Sequence, residues 1–403
     1  MSLMRCLESI LNDSQNRIEL SRWLPARAGT SYPTEKYMNM KRINVTKTLL
    51  PDREKLDAYI DRILESGWLT NRGTLVRELE RRLEEYLNVK NIVLVSNGTL
   101  ALQVAYKLLE LTGEVITTPF TFIATASSLV WNGLDVVFSD IDPRTFNIDP
   151  NKIEEKITPK TSAIVPVHVF GNPCEVECIQ EIAQKHELKL IYDAAHAFGV
   201  SYKGESVLRW GDISTLSFHA TKIFHTIEGG ALIIKDDILA QTARKMINFG
   251  ITGPESIECL GINARMNEFQ AAMGLTILDQ LDEANQKRAK LYDLYNSLLG
   301  EYLQRQEWNP DASNNCHYYP VLFESEEALK RTEKSLQDVN IFPRRYFYPS
   351  LDELDFLNSK SGPMNVSRDI SHRILCLPFF QELTNNQVRQ VVEIIEQSYI
   401  KAG

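Results

Sequence analysis

The feature that most restricts this chain is a succession of seven short apolar runs, at residues 92–95, 114–117, 135–138, 163–167, 188–192, 213–218 and 231–234. Each has the length of a strand, and most are apolar nearly throughout instead of alternating with polar residues. A strand with one face in water alternates, whereas one covered on both faces does not. Helical patterns, such as 100–109, separate several of the runs. Strands and helices in succession, with both faces of the sheet covered, predict an α/β domain with a mostly parallel seven-stranded sheet. Before the runs, helical spacing covers 52–64 and 74–87, with a turn-rich break at 67–73. After them, 263–292 reads as one long helical pattern and the texture then becomes mixed. The expected layout is an N-terminal extension over 1–41 containing an amphipathic helix at 6–20, a large α/β domain over 42–290, and a smaller α+β domain over 291–403.

Composition narrows the function classes. The 53 acidic and 44 basic residues give a net charge of -9, which argues against a nucleic-acid partner. It does not argue against a phosphorylated small molecule, which a few local donors can hold. No apolar run approaches the ~18 residues of a membrane span. The six cysteines are scattered, so no disulfide framework is expected, and Cys174 and Cys178 lack the second pair that a metal site needs. The N-terminal residues lack the apolar segment of a secretory signal. These features predict a cytoplasmic protein with reduced thiols.

Four stretches fall at the ends of predicted strands, where open α/β sheets place their ligands. Ser96-Asn97-Gly98-Thr99 lies between a strand and a helix, where free N–H groups and a glycine can receive an anion. The same residues also make an ordinary helix cap. Asp193 ends the run at 188–192 and precedes Ala194-Ala195-His196. A carboxylate there needs a cationic partner, such as a protonated ring nitrogen, or else caps the next helix. Ser217-Phe218-His219-Ala220-Thr221-Lys222 follows the next run, and Glu228-Gly229-Gly230 leads into the last. A lysine among small residues between two strands suits Schiff-base chemistry, or is an incidental turn residue. The two glycines allow close approach of the backbone to a ligand. An anion cradle, a carboxylate for a ring nitrogen and a lysine for an aldehyde are the groups that pyridoxal 5'-phosphate requires. Phe122 could face its ring.

These motifs resemble those of the pyridoxal-phosphate sugar aminotransferases, the DegT/DnrJ/EryC/StrS family, over roughly residues 43–400. The resemblance implies the aspartate-aminotransferase-type fold (fold type I) and a homodimer with shared active sites. It implies that Lys222 carries the cofactor as a Schiff base and that Asp193 pairs with the pyridinium nitrogen. Gly98, Thr99 and Ser217 would bind its phosphate, Phe122 would stack on its ring, and His196 would lie near its phenolic oxygen. Asn263, in Gly261-Ile262-Asn263-Ala264-Arg265-Met266, would reach the partner's cofactor phosphate, although Ile262 stands where the family has an aromatic residue. The form of the Lys222 motif is similar to that of 4-aminotransferases acting in deoxyamino-sugar and O-antigen synthesis. It implies glutamate as donor and a dTDP-linked 4-keto-6-deoxy sugar as acceptor. Thr70 and Asn71, His168, and Arg344 or Arg345 with Tyr348 fall in segments that would line the sugar-nucleotide site. Amination at C3 and a lyase or desulfurase using Cys259 are the competing activities on the same fold.

Overall fold

The computed structural model describes residues 41–359 and 361–400. The helix expected at 6–20 and nearly all of the extension at 1–41 lie outside these residues. Within them, the seven apolar runs form one sheet of seven strands: Ile92–Val95 (β1), Glu114–Thr117 (β2), Asp135–Phe138 (β3), Thr161–Val165 (β4), Lys189–Asp193 (β5), Ile213–Ser217 (β6) and Gly230–Ile234 (β7). Their order across the sheet is β1-β7-β6-β5-β4-β2-β3. β7 runs antiparallel to both its neighbours, and the other pairings are parallel.

The helices are Arg53–Ser66 (α1), Thr74–Leu87 (α2), Gly98–Leu108 (α3), Ile123–Trp131 (α4), Val176–Lys185 (α5), Asp237–Met246 (α6), Glu268–Leu278 (α7), Leu281–Leu298 (α8), Glu326–Gln337 (α9), Asn365–Arg373 (α10) and Asn385–Ile400 (α11). They explain why the strands are apolar throughout. Ile92 and Leu94 of β1 point to one core with Leu79 and Leu83 of α2, Ile179 of α5 and Leu275 of α7. Val93 and Val95 point to another core with Ala101 and Val104 of α3, Leu129 of α4 and Ala243 of α6. Burying each such Val, Leu or Ile side chain contributes roughly 1.5–3 kcal/mol, so neither face tolerates alternation with polar residues.

The single helix expected over 263–292 is two. Asn267 and Gln270 form a reciprocal capping box that starts α7, and a break at Asp279-Gln280 separates it from α8. Residues 263–265 are instead extended, because their backbones bridge to Asn248 and Val95. Residue 290 lies inside α8, which carries the chain into the C-terminal part without interruption. There Pro320–Leu322 pairs with Ile374–Cys376, and Ile341–Phe342 pairs with Ile43–Asn44 from the start of the described chain.

Candidate active site

The C-terminal ends of β1, β5 and β6 meet around a pocket of about 310 Å³. At the end of β1 the chain turns into α3. Asn97 caps that helix, its side chain accepting from the Leu100 N–H at 2.9 Å. The first N–H groups of a helix have no partner within it, so those of Gly98 and Thr99 point onward, and both residues line the pocket. This turn sits tightly on its neighbours: a Cβ on Gly98 would come within 2.9 Å of the Ser217 Cβ, and one on Gly230 within 2.8 Å of the Gly98 nitrogen. Gly230, the first residue of β7, therefore makes room for the Asn97–Gly98 turn, whereas the sequence suggested room for a ligand.

Asp193 ends β5 and is buried, 7% exposed. Its Oδ2 accepts from the Thr125 hydroxyl at 2.7 Å, and its Oδ1 accepts from the Ala195 N–H at 3.1 Å. Burial raises its pKa from the ordinary carboxylate value, against the lowering effect of these donors and of Lys222. Thr125 is itself fully buried and shares a 2.9 Å hydrogen bond with Thr121. This pair was not singled out from the sequence. Its signal is two threonines four apart, one helical turn, beginning beside Phe122.

Lys222 sits in the turn between β6 and β7. Its N–H donates to the His219 carbonyl at 2.9 Å, and backbone bonds from Phe218 to Gly229 and from Thr226 to Phe218 close the turn. Burial lowers the Lys222 pKa from 10.5 to about 8, and the attraction of Asp193 offsets only part of that. His196 is buried with its Nδ1 unpartnered. Its ring lies parallel to Phe347, centroids 5.8 Å apart, and 5.0 Å from Tyr318. Burial, then the charge of Lys222, holds its pKa well below 6.5, so its ring is neutral.

The pocket thus brings together Gly98, Thr99, Phe122, Asp193, His196, Ser217, Lys222 and Arg344. His219, Glu228, Tyr318, Tyr346 and Phe347 also line it, and these were not assigned to the site from sequence. Arg344 is separated from its neighbour by its contacts. Arg345 is engaged with Glu326, the Ser371 and His372 carbonyls and the Tyr348 ring. Arg344 projects to the pocket, its guanidinium 4.5 Å from the Tyr346 ring centroid. Tyr348 is 45% exposed and packs on Arg345 and His372 outside the pocket.

His168 lies beneath the pocket wall, not in it. It is fully buried, its Nδ1 accepts the Cys174 N–H at 3.1 Å, and its ring stacks on Tyr192 at 4.7 Å. Burial lowers its pKa to about 3. It is a neutral core residue that supports the loop after β4 and does not line the pocket. Thr70, Asn71 and Asn263 are exposed and do not line their own chain's pocket. Arg265 joins two of them, donating to the side chains of Asn71, Asn248 and Asn263. Cys259 likewise does not line the pocket. Cys174 is buried and Cys178 exposed, so they face apart. Among the described residues no helix is long and apolar enough to cross a membrane.

Comparison with known proteins places the chain in one family. The family model for DegT/DnrJ/EryC1/StrS aminotransferases matches residues 51–396. A dTDP-4-amino-4,6-dideoxy-D-glucose transaminase of Shigella dysenteriae is 43% identical over 363 residues, covering 89% of this chain and 99% of that protein. One of Escherichia coli with the same name is 38% identical over 367 residues, with the same coverage. The solved structure of DesI in the presence of its TDP-sugar product superimposes with a TM-score of 0.85 at 34% identity, covering 90% of this chain and 94% of that one. With a family match over most of its length and relatives aligned nearly end to end, the chain belongs to the DegT/DnrJ/EryC1/StrS aminotransferase family.

Proposed function

We propose that this protein is a pyridoxal 5'-phosphate-dependent transaminase. It would move an amino group from glutamate to C4 of a dTDP-linked 4-keto-6-deoxy sugar, a step in deoxyamino-sugar biosynthesis. The observation that carries this reading is the meeting of three groups in one pocket: a buried carboxylate, an amine with a pKa of about 8, and a helix N-terminus. The names of the relatives supply the sugar and the nucleotide.

The residues fit that cofactor. Asp193 is a buried carboxylate whose pKa burial raises, and a protonated ring nitrogen would relieve that burial. The Gly98 and Thr99 N–H groups and the Ser217 hydroxyl would receive the phosphate. Phe122 would lie against the ring, and neutral His196 would sit beside the phenolic oxygen. Lys222 would hold the aldehyde carbon. When bound, the cofactor supplies an electron sink for the carbon that bears the amine. With a pKa of about 8, roughly a tenth of the Lys222 amine is free base at pH 7. It can therefore accept a proton from that carbon and return one to the adjoining position. Thr125 holds the Asp193 carboxylate ionised and oriented while this occurs.

The reading includes a homodimer. Phe249, Ile251, Ile257, Leu260 and Ile262 are all exposed, and they lie on or beside the hairpin of Ile251–Gly253 and Ser256–Ile257. A second copy of the chain would cover this apolar surface. Asn263 and the Thr70–Asn71 segment, which stand outside their own pocket, would then serve the partner's. The C-terminal part beyond about residue 290 would act as the small domain, contributing Arg344, Tyr346 and Phe347 to the wall of the pocket.

The test is to incubate the loaded protein with glutamate and, separately, dTDP-, UDP- and GDP-linked 4-keto-6-deoxy sugars. The expected result is the 4-amino sugar nucleotide by mass and NMR, fastest with dTDP, and one equivalent of 2-oxoglutarate. Amination at C3, elimination products, or no transfer to any of the three would refute it.

A further inference from the structure

The transaminase reading leaves a question that the pocket's own charges answer. Both substrates must present a reacting carbon to Lys222, so both occupy the same pocket in turn, and both are anions. Each ionised group lining the pocket can be followed. The Lys222 amine is occupied in turn by holding the cofactor and by moving the proton, and Asp193 would face the ring nitrogen. At the rim, His219 Nε2 lies 3.6 Å from Glu228 Oε1, so Glu228 faces a ring of its own chain. What remains is Arg344. No carboxylate among the described residues forms an ion pair with it, and its guanidinium is held by the Tyr346 side chain.

We propose that Arg344 is one anion anchor used by both substrates in turn, holding a carboxylate of glutamate in one half-reaction and the diphosphate of the sugar nucleotide in the other. Its placement suits an anchor. The backbone is fixed by two hydrogen bonds with Cys376, N–H to carbonyl at 3.1 Å and carbonyl from N–H at 2.8 Å, while the side chain is exposed and free to adjust. A guanidinium fork matches a carboxylate and a phosphate equally well. Its neighbour Arg345 cannot substitute, because Glu326 and two carbonyls already occupy it. A shared anchor also makes the substrates mutually exclusive, so excess glutamate inhibits competitively against the sugar nucleotide.

This inference rests on the transaminase reading, and the half-reactions separate the two. The loaded wild-type enzyme and its Arg344→Gln and Arg344→Lys variants are mixed in a stopped-flow instrument with glutamate alone. The amino form of each is then mixed with the sugar nucleotide alone, and cofactor absorbance follows both. Arg344→Gln should raise the half-saturating concentration of each substrate by about ten- to a hundredfold, as expected for loss of a charge-assisted hydrogen bond. The limiting rates should change far less, and Arg344→Lys should recover part of the affinity. Calorimetric binding of glutarate, an unreactive dicarboxylate, should weaken by a similar factor. Unchanged glutamate and glutarate dependence in Arg344→Gln would overturn the shared anchor, as would a rise confined to glutamate. A wild-type enzyme that takes no amine from glutamate would overturn the transaminase reading itself.

Discussion

Replacing Lys222 by Met should stabilise the ligand-free protein at neutral pH. Methionine keeps the length and apolar stem of the side chain and removes only the ammonium group. Burial holds the lysine pKa at about 8 against an ordinary 10.5, which amounts to about 3 kcal/mol of penalty for carrying the charge in the folded state. Losing the cation also removes a favourable neighbour of Asp193. Since burial outweighs that attraction at Lys222, the net gain stays positive, at roughly 1–3 kcal/mol. The pH dependence fixes the sign. A lysine with a lowered folded pKa destabilises the fold while it is charged there, and the penalty fades as pH rises from about 8 to 10.5. The advantage of Lys222→Met should therefore be full at pH 7, about halved midway through that window, and absent above it. Urea unfolding of both proteins at pH 7 and across the alkaline range reads this directly. A variant no more stable than wild type at pH 7, or a gain that persists at pH 10.5, would refute the argument that burial tunes this amine. The same substitution should abolish transamination, so stability and activity move in opposite directions at one residue.

Thr125→Val removes the 2.7 Å donor to Asp193 at nearly constant volume. Asp193 already has a raised folded pKa, and the substitution raises it further, so the variant's deficit should open as pH rises through that value. We expect about 1.5–3 kcal/mol at pH 7.5 and clearly less in acid, the loss of a hydrogen bond to a charged group; equal deficits at both pH values would contradict the role. His168→Phe should strand the buried Cys174 N–H and lower stability by about 1–3 kcal/mol, with His168→Asn milder. Turnover per folded molecule should stay within about twofold for both, and a selective rise in KM for the sugar nucleotide would restore His168 to the substrate site.

What could be read from the sequence depended on whether a residue's surroundings were local. The seven strands were legible because covering both faces of a sheet writes an apolar run directly into the chain, and the bounds at 92–95, 114–117 and 135–138 agree residue for residue. The helix at 263–292 misled because apolar spacing continues through the break. Its true start lies in the Asn267–Gln270 capping box, a polar signal superimposed on the apolar one. Residues at strand ends next to glycine or small residues, Gly98, Asp193, Ser217 and Lys222, were legible because their positions require unusual neighbours. His168 looked the same, a polar residue just past a strand. Its difference is one hydrogen bond to Cys174, six residues along, and a stacked tyrosine from the next strand, and no one-dimensional pattern encodes those.

The same reasoning explains why Thr125 and Arg344 were the harder residues. Thr125 acts on Asp193 from a helix 68 positions earlier in the chain, and only the parallel order of β2, β4 and β5 brings α4 over that carboxylate. Arg344 and Arg345 are indistinguishable as neighbouring cations in a basic, aromatic stretch. What separates them is that Glu326 lies within 3.1 Å of Arg345, while the backbone pairing of Arg344 with Cys376 turns its side chain to the pocket. A half-buried ion pair fixes one arginine, and by doing so leaves the other as the cation that an incoming anion can meet. On the proposed reading, legibility in this chain is therefore local for the groups that would touch the cofactor and non-local for those that would orient or admit a substrate. Glu326→Gln tests that division: the Ser371 and His372 carbonyls and the Tyr348 ring still hold Arg345, so the glutamate affinity lost in Arg344→Gln should stay lost in the double variant, and its recovery would show that the ion pair alone keeps the second guanidinium from the pocket.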